Sequence, residues 1–290
     1  MMKIPDLIAL SKDIRKILLF SPFTKAVKAP LATISLSMAF CGLSMAQVIA
    51  VPFQGRDSST SSASTLTYVW QAGFAQATLI FVPGGEGRLA LSPERKSIGG
   101  FYGGVLRPLA SSSLTSGHLN VVVFDSPTPL DVGTDYPYSR KSAEHLQRLE
   151  SVIRFFSDRY GLPIWIMGHS NGAASITELY KALKQEGRES LISGAIYSSA
   201  RHGASFGGKL DIPVLILAHE RDSCPRSTPA HSRGEHDKLL QAGSGKTKLV
   251  LLKTGEAQFQ KPCVSGFHMF EGAYQEAYNA IDNFFNSAKQ

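Results

Sequence analysis

The stretch IWIMGHSNGAASI, residues 164–176, places a serine between two glycines where an apolar run gives way to small, helix-compatible residues. The apolar run predicts a buried strand, and the residues after Ser170 favour a helix. Gly168 and Gly172 stand two positions before and after the serine, as in G-x-S-x-G. Such a turn strains the serine backbone and leaves no room for nearby side chains. We therefore expect His169 and Ser170 at a tight turn, with the Ser170 hydroxyl held at the carboxyl edge of a sheet.

Short apolar runs alternate with amphipathic segments along the rest of the chain. Several runs, such as VVVF, VLIL and LVLL, are continuous, as in strands covered on both faces. The predicted strands span residues 66–71, 77–82, 120–125, 164–167, 193–198, 214–218 and 248–253. The predicted helices span residues 143–160, 173–186 and 270–287. This alternation predicts an α/β fold in which a mostly parallel central sheet carries helices on both faces.

The first 50 residues differ in charge from the rest of the chain. They hold six Lys or Arg and two acidic residues, whereas the remaining 240 carry 24 basic and 21 acidic groups. The net charge of +7 is therefore concentrated in one segment, and it does not indicate a nucleic-acid partner. Residues 31–51 contain no charged side chain and follow Lys25 and Lys28, as in an export signal.

Two cleavage sites lie at the end of this segment. SMA at residues 44–46 fits the small-x-small pattern, and VIA at residues 48–50 is a poorer alternative. An uncleaved membrane anchor formed by residues 31–51 is the other interpretation. We expect an exported protein, periplasmic or secreted, which contacts a membrane only if this segment stays uncleaved. The sequence does not define an oligomeric state.

After the predicted signal, residues 57–65 are polar and rich in serine, which predicts a flexible connection. The expected organisation is a signal peptide or anchor over residues 1–46, a flexible polar lead-in over 47–65, and a catalytic domain over 66–290. Cleavage after residue 46 would remove Cys41 and leave Cys224 and Cys263. An even pair in an oxidising compartment is a disulfide candidate, and two buried free thiols are the alternative.

With its G-x-S-x-G turn between strand and helix, the chain resembles secreted bacterial serine hydrolases of the α/β-hydrolase superfamily, of the esterase or lipase type. The resemblance covers residues 66–290 and implies a nucleophilic serine, an acid and a histidine in that chain order. The family acid follows the strand that here reads PVLILA, which leaves Asp222 and Glu220 as candidates. Asp222 is favoured because it stands a few residues beyond the strand end. Among eight histidines, His268 alone lies between the last predicted strand and the terminal helix.

The resemblance also implies an oxyanion hole made of two backbone N–H groups. One donor is expected from Asn171, directly after the serine, and the other from the loop PGGEG at residues 83–87, where Gly85 and Glu86 are the candidates. Proline stands in this loop where the family usually has a histidine. The loop lacks the Lys-Ser/Thr that a phosphate-binding loop requires.

The same resemblance bears on the cysteines and on access to the site. A bridge between Cys224 and Cys263 would tie the acid loop to the histidine loop, and some secreted bacterial relatives carry a cysteine shortly after the acid. Residues 199–212, where a lid is often inserted, number only 14, too few for a large cap domain. We expect an open site, or one covered by residues 101–116 and 126–138.

The expected function is an exported serine hydrolase that cleaves carboxylic esters through an acyl-enzyme, with a small-molecule ester or acyl compound as substrate. A peptidase or thioesterase using the same residues is the alternative within this chemistry. A non-catalytic cell-envelope binding protein that keeps the fold is the alternative from another class. The sequence contains no metal-ligand cluster or nucleotide motif, so no cofactor and no metal are expected.

Overall fold

The computed structural model describes residues 45–53, 63–95, 97–111, 119–133, 137–257 and 261–289. Its strands are β1 Met45–Pro52, β2 Ser64–Gln71, β3 Ala77–Val82, β4 Leu119–Phe124, β5 Ile164–His169, β6 Gly194–Ser198, β7 Val214–His219 and β8 Thr247–Leu252. Its helices are α1 Arg107–Ala110, α2 Ala143–Tyr160, α3 Asn171–Gln185, α4 Pro229–Gln241 and α5 Tyr274–Ser287. A π-helical turn at Tyr102–Leu106 runs into α1, and a 3₁₀ turn at Gly266–Met269 precedes α5.

All eight strands form one sheet in the order β1-β2-β4-β3-β5-β6-β7-β8. The six strands from β3 to β8 are parallel, whereas β1 with β2 and β2 with β4 pair antiparallel. Every residue of the strands β3 to β7 is buried, as expected of strands covered on both faces. The mostly parallel sheet is therefore confirmed. The loops that leave the carboxyl ends of these strands meet at one edge.

Two apolar cores lie on opposite faces of the sheet. One contains side chains of α2, α3 and α4, including Val152, Ile176 and Leu239. The other contains side chains of the 100–110 segment and of α5, including Leu106 and Ile281. Within the described ranges, no helix is both long enough and apolar enough to cross a membrane.

The bounds of the helices follow from their capping residues. Helix α2 begins where the Ser142 hydroxyl accepts the N–H of His145, and it ends at Gly161, whose φ is 63°. The predicted start of the terminal helix at Phe270 is wrong. Phe270 has a φ of 58°, in the left-handed region, so α5 starts only at Tyr274.

Strand β1 corrects the predicted boundary of the folded domain. Residues 47–52, assigned to the flexible lead-in, instead pair with β2 along their whole length, from Gln47 opposite Val69 to Pro52 opposite Ser64. The apolar run that resembles the end of an export signal is here a strand, because its backbone completes the sheet and Val51 is buried in the core. Residues 54–62, the serine-rich part of the lead-in, and residues 1–44, most of the predicted signal or anchor, lie outside the described residues.

Candidate active site

Ser170 sits at a strained turn between β5 and α3. Its φ of 55° and ψ of −121° lie outside the regions that residues with a side chain normally adopt, at a cost on the order of 1–3 kcal/mol. The backbone N–H of Ser170 donates to the carbonyl of Ser198 at the end of β6, 2.9 Å away, and this contact holds the turn against the sheet. The strained strand–turn–helix expected from the sequence is therefore present.

The two flanking glycines are required by the packing of this turn. A Cβ on Gly168 would stand 2.7 Å from the Cα of Ala173, in the first turn of α3. A Cβ on Gly172 would stand 2.9 Å from the carbonyl oxygen of Pro83 and still closer to that of Val82. Both positions meet backbone atoms, which cannot move aside as a side-chain end can. Any larger residue would therefore displace the turn or the loop beside it.

Asp222 and His268 meet in the interior, although 46 residues separate them in the chain. Nδ1 of His268 lies 2.9 Å from Oδ2 of Asp222, and both side chains are at most 2% exposed. The other carboxylate oxygen accepts the N–H of Cys224 at 2.9 Å. An ionised carboxylate accepts only, so Nδ1 carries the imidazole proton and Nε2 is left as an acceptor.

Nε2 of His268 is buried and has no hydrogen-bond partner among the described residues. His268 and Ser170 line the same cavity. Glu220, the alternative acid, is exposed, and its backbone N–H donates to the carbonyl of Leu252. The structure therefore brings Asp222, and not Glu220, to the histidine.

Ser227 joins this pair and was not predicted from the sequence. Its hydroxyl lies 3.0 Å from Nδ1 of His268 and 3.2 Å from Oδ2 of Asp222. The hydroxyl therefore helps to hold the imidazole ring in one orientation. A serine in the polar loop SCPRST carries no signal that separates it from its neighbours, and only the folded loop reveals its role.

His169 packs behind the site as a neutral ring. Its Nδ1 lies 3.0 Å from the Ser198 hydroxyl, and its ring centroid lies 4.8 Å from that of Phe101 and 5.1 Å from that of His268. Burial, and then the neighbouring His268, hold the pKa of His169 well below its usual 6.5. A neutral His169 places no positive charge beside the His268 ring.

The loop at residues 83–87 passes directly over Ser170. A Cβ on Gly84 would lie 2.9 Å from the Cβ of Ser170, so this glycine permits the close approach. Gly85 and Glu86, the predicted donors, line the same cavity as Ser170. Asn171 is the first residue of α3, and the first N–H groups of a helix have no partner within it.

Arg140 holds this loop from below and was missed in the sequence. It is completely buried, and its guanidinium donates to the carbonyls of Pro83 at 3.0 Å and Gly85 at 2.8 Å. It also donates to the hydroxyl of Ser175 on α3 at 3.0 Å. These bonds tie the carbonyls of the loop to helix α3 through one guanidinium. An arginine in the polar stretch PYSRK is indistinguishable in sequence from a surface residue.

Two cavities meet at Ser170, one of about 340 Å³ and one of about 250 Å³. The larger has an aromatic wall that includes Phe81, Phe101 and Tyr102. The smaller contains Arg226 and reaches the 126–138 segment. Both segments expected to cover the site therefore contribute side chains to its walls, within the parts that the structure describes.

The predicted disulfide joins Cys224 to Cys263. Cys224 stands in the loop after β7 that carries Asp222, and Cys263 precedes the 3₁₀ turn that carries His268. The bridge therefore connects the two loops whose side chains form the buried pair.

Comparisons with known proteins identify the fold. No family model and no curated protein matches the chain. A solved dienelactone hydrolase from Anabaena variabilis is 13% identical, with a TM-score of 0.52 over 84% of this chain and 98% of its own. Carboxyl esterase 2 from Tuber melanosporum is 10% identical, with a TM-score of 0.56 over 84% and 88%. The carboxylesterase EstE1, cloned from a metagenomic library, is 15% identical, with a TM-score of 0.54 over 85% and 90%.

At these identities the likeness concerns the fold alone. The strand order, the turn at Ser170 between β5 and α3, and the buried Asp222–His268 pair beyond β7 and β8 agree with it. The fold predicted from the sequence is thereby confirmed: the chain has the α/β-hydrolase fold.

Proposed function

We propose that the protein is a serine hydrolase that cleaves carboxylic esters through an acyl-enzyme on Ser170. The observation that carries this proposal is the buried Asp222–His268 pair: Nε2 of His268 has no partner among the described residues, and His268 lines the same cavity as the strained Ser170. A serine hydroxyl alone is a weak nucleophile, and a neighbouring neutral imidazole activates it by accepting its proton. Strained residues cluster at catalytic sites, which supports the same assignment.

Acylation begins when the Ser170 Oγ attacks the ester carbonyl and its proton passes to Nε2 of His268. Asp222 stabilises the imidazolium that forms, because its carboxylate accepts from Nδ1. The tetrahedral intermediate collapses as the bond to the alcohol oxygen breaks, and His268 returns the proton to that oxygen. A water molecule then attacks the acyl-enzyme, again through His268, to release the acid and restore Ser170.

The negative oxygen of the intermediate needs donors that are already in place. The proposed donors are the N–H of Asn171 at the start of α3 and the N–H of Gly85 or Glu86. Asn171 also links the two elements, since its side-chain amide donates to the carbonyl of Gly85 at 3.1 Å. The positive end of α3 adds to the stabilisation of negative charge at this place.

The test is turnover by purified protein of matched 4-nitrophenyl esters, 4-nitroanilides and thioesters. We expect the wild type to hydrolyse the esters with a burst of nitrophenol. Ser170→Ala and His268→Ala should each lose turnover by several orders of magnitude while both variants stay folded. Faster turnover of anilides or thioesters would favour the peptidase or thioesterase. Absence of turnover for all three, with the fold intact, would favour a non-catalytic binding protein.

We further propose that the protein acts outside the cytoplasm. The Cys224–Cys263 bridge supports this, because disulfides persist in oxidising compartments. Cleavage after Ala46 would leave most of β1 in place, whereas cleavage after Ala50 would remove most of it. N-terminal sequencing of the protein from its host tests this: Gln47 as first residue supports cleavage, and an intact N-terminus would contradict it.

A further inference from the structure

The smaller cavity beside Ser170 is lined by charged and apolar groups in a definite arrangement. Its walls include Arg201 and Arg226, with Val132 and Val264 at its rim. Val264 is 68% and Val132 39% exposed, so the rim opens to solvent. Ser170 lines this cavity and the larger aromatic one. An ester whose carbonyl lies at Ser170 therefore extends one part into each cavity.

Arg201 places its guanidinium at the wall of this cavity in a fixed position. Its side chain donates to Oδ1 of Asn171 at 3.1 Å and to the carbonyl of Gly133 at 3.0 Å. Its backbone N–H donates to the carbonyl of Ser170 at 3.3 Å. The arginine is thus anchored to Ser170 and to Asn171, the residue that follows it.

Arg226 brings a second guanidinium to the same cavity. Its Nη1 donates to the carbonyl of Val132 at 2.9 Å, and it forms no ion pair with a carboxylate of the described residues. The N–H of His202 donates to the carbonyl of Arg226 at 2.7 Å, which joins the two arginine-bearing segments. The Cys224–Cys263 bridge fixes the loop two residues before Arg226.

Basic groups outnumber acidic ones in the two cavities. Arg88 lines the larger, Arg201 and Arg226 line the smaller, and Glu86 lines both. Glu86 is exposed at the mouth of the site, whereas Arg201 is only 4% exposed. A cavity with positive walls and an apolar rim attracts an anion that carries a short hydrocarbon part, and arginine binds carboxylates in a planar, two-point geometry.

We infer that the smaller cavity is a carboxylate-binding subsite, so that the substrates are esters bearing a free carboxylate on the part that enters it. The aromatic cavity receives the other, uncharged part. This inference rests on the proposed ester hydrolysis and adds its substrate class. Arg226 is the specificity-determining residue, because it reaches the cavity without contacting Asn171 or the 83–87 loop.

Two pairs of esters test the inference, each matched in size and differing in one charge. The first is mono-(4-nitrophenyl) glutarate against its methyl ester, with the carboxylate on the acyl part. The second is 4-acetoxybenzoate against its methyl ester, with the carboxylate on the alcohol part. In the pair whose carboxylate lies on the part that enters the smaller cavity, the wild type should turn over the anionic ester with a higher kcat/KM than the neutral one. Arg226→Gln lowers that kcat/KM about tenfold or more, chiefly through KM, and changes the neutral ester little.

Arg221→Gln is the matched control, because Arg221 lies over the Phe267 ring, outside both cavities. It should leave the anionic preference intact. Equal losses for both members of a pair in Arg226→Gln, or no anionic preference in either pair, would overturn the subsite.

A binding measurement separates this inference from the hydrolytic function. Monomethyl glutarate and dimethyl glutarate are titrated calorimetrically into Ser170→Ala, with and without Arg226→Gln. Binding of the monoanion alone, and its loss with Arg226→Gln, supports the subsite even where no ester is turned over. Equal binding of both compounds, or no binding of either, contradicts it.

Discussion

At the scale of single residues, the chemistry depends on a few side chains held by buried hydrogen bonds. Asp222 accepts from Cys224 and from His268, and Ser227 contacts both members of the pair. These contacts restrict the orientation of the His268 ring. Of its two nitrogens, only Nε2 is without a protein partner among the described residues. We therefore expect that changes to these hydrogen bonds affect turnover more than substrate binding.

Asp222→Asn should lower kcat by about three to four orders of magnitude, because the amide cannot stabilise the imidazolium or fix the Nδ1–H tautomer. Glu220→Gln should change kcat little, since Glu220 is exposed and away from His268. Steady-state kinetics of both variants on one 4-nitrophenyl ester provides the measurement. The opposite pattern would move the acid to Glu220.

Arg140→Lys should lower kcat about tenfold to a hundredfold with little change in KM, because a single ammonium cannot replace the bonds to Pro83, Gly85 and Ser175. The loop would then present its N–H groups less accurately to the oxyanion. Arg154→Lys, on the exposed side of α2, is the matched control. An unchanged kcat in Arg140→Lys, with the fold retained, would show that Arg140 does not position the loop.

The candidate site was predictable from sequence where chain order and local pattern define a role. Ser170 is marked by its glycines, and Asp222 and His268 follow from the chain order that the resemblance to a known family implies. Arg140 and Ser227 carry no such mark, because their importance comes from burial against segments distant in sequence. Local pattern identifies groups that react, and tertiary packing selects the groups that hold them.

At the scale of elements, strands defined by continuous apolar runs were predicted well and the first strand was not. The seven predicted strands correspond to β2 through β8, because each is an apolar run bounded by turn residues. Strand β1 is an edge strand within a segment that also fits an export signal. Its pairing with β2 depends on a partner twelve or more residues away, which composition does not reveal.

The disulfide acts between elements, and its removal should affect both stability and turnover. In the chain-entropy model, a loop spanning 39 residues contributes about 4 kcal/mol. The double variant Cys224→Ser/Cys263→Ser should lose up to about this amount of unfolding free energy in urea titrations. Its kcat should also fall, because the loops of Asp222 and His268 are no longer joined. Dithiothreitol should reproduce both effects in the wild type and leave the double variant unchanged; a wild type insensitive to reductant would contradict this.

At the scale of the whole molecule, the sheet brings together loops that lie far apart in the chain. The alternation of strands and helices predicted a mostly parallel sheet, but it did not predict the order of the strands within that sheet. The hydrophobic periodicity predicts which faces of a strand are buried. The order of the strands depends instead on which two strands pair along their edges. The order β1-β2-β4-β3-β5-β6-β7-β8 places β5 centrally, with Ser170 at its carboxyl end.

The whole fold should lose stability as the pH falls below neutrality. Burial, with the charges of Arg140 and Arg148, lowers the pKa of His145 from 6.5 to about 3, and burial lowers that of His231 to about 4. In the unfolded chain both histidines bind a proton near pH 6.5. Between the folded-state pKa and pH 6.5, the unfolded state binds more protons than the folded state. The unfolding free energy therefore decreases as the pH is lowered, by at most about 1.4 kcal/mol per pH unit for each histidine.

His145→Gln should therefore lose less unfolding free energy than the wild type between pH 7.5 and pH 5. Glutamine can still contact the Ser175 hydroxyl, which lies 2.8 Å from Nε2 of His145, but it does not titrate. Urea unfolding curves at both pH values give the two differences. Equal losses in the variant and the wild type would show that His145 is not responsible.

An activated Ser170 should react covalently with an organophosphorus reagent, and this labelling is the sharpest test of the proposed nucleophile. The folded wild type is treated with a fluorophosphonate, digested and mapped by mass spectrometry. We expect one adduct, on Ser170, that is absent from Ser170→Ala and forms far more slowly in His268→Ala. A folded wild type that stays unlabelled, or an adduct on another residue, would contradict it.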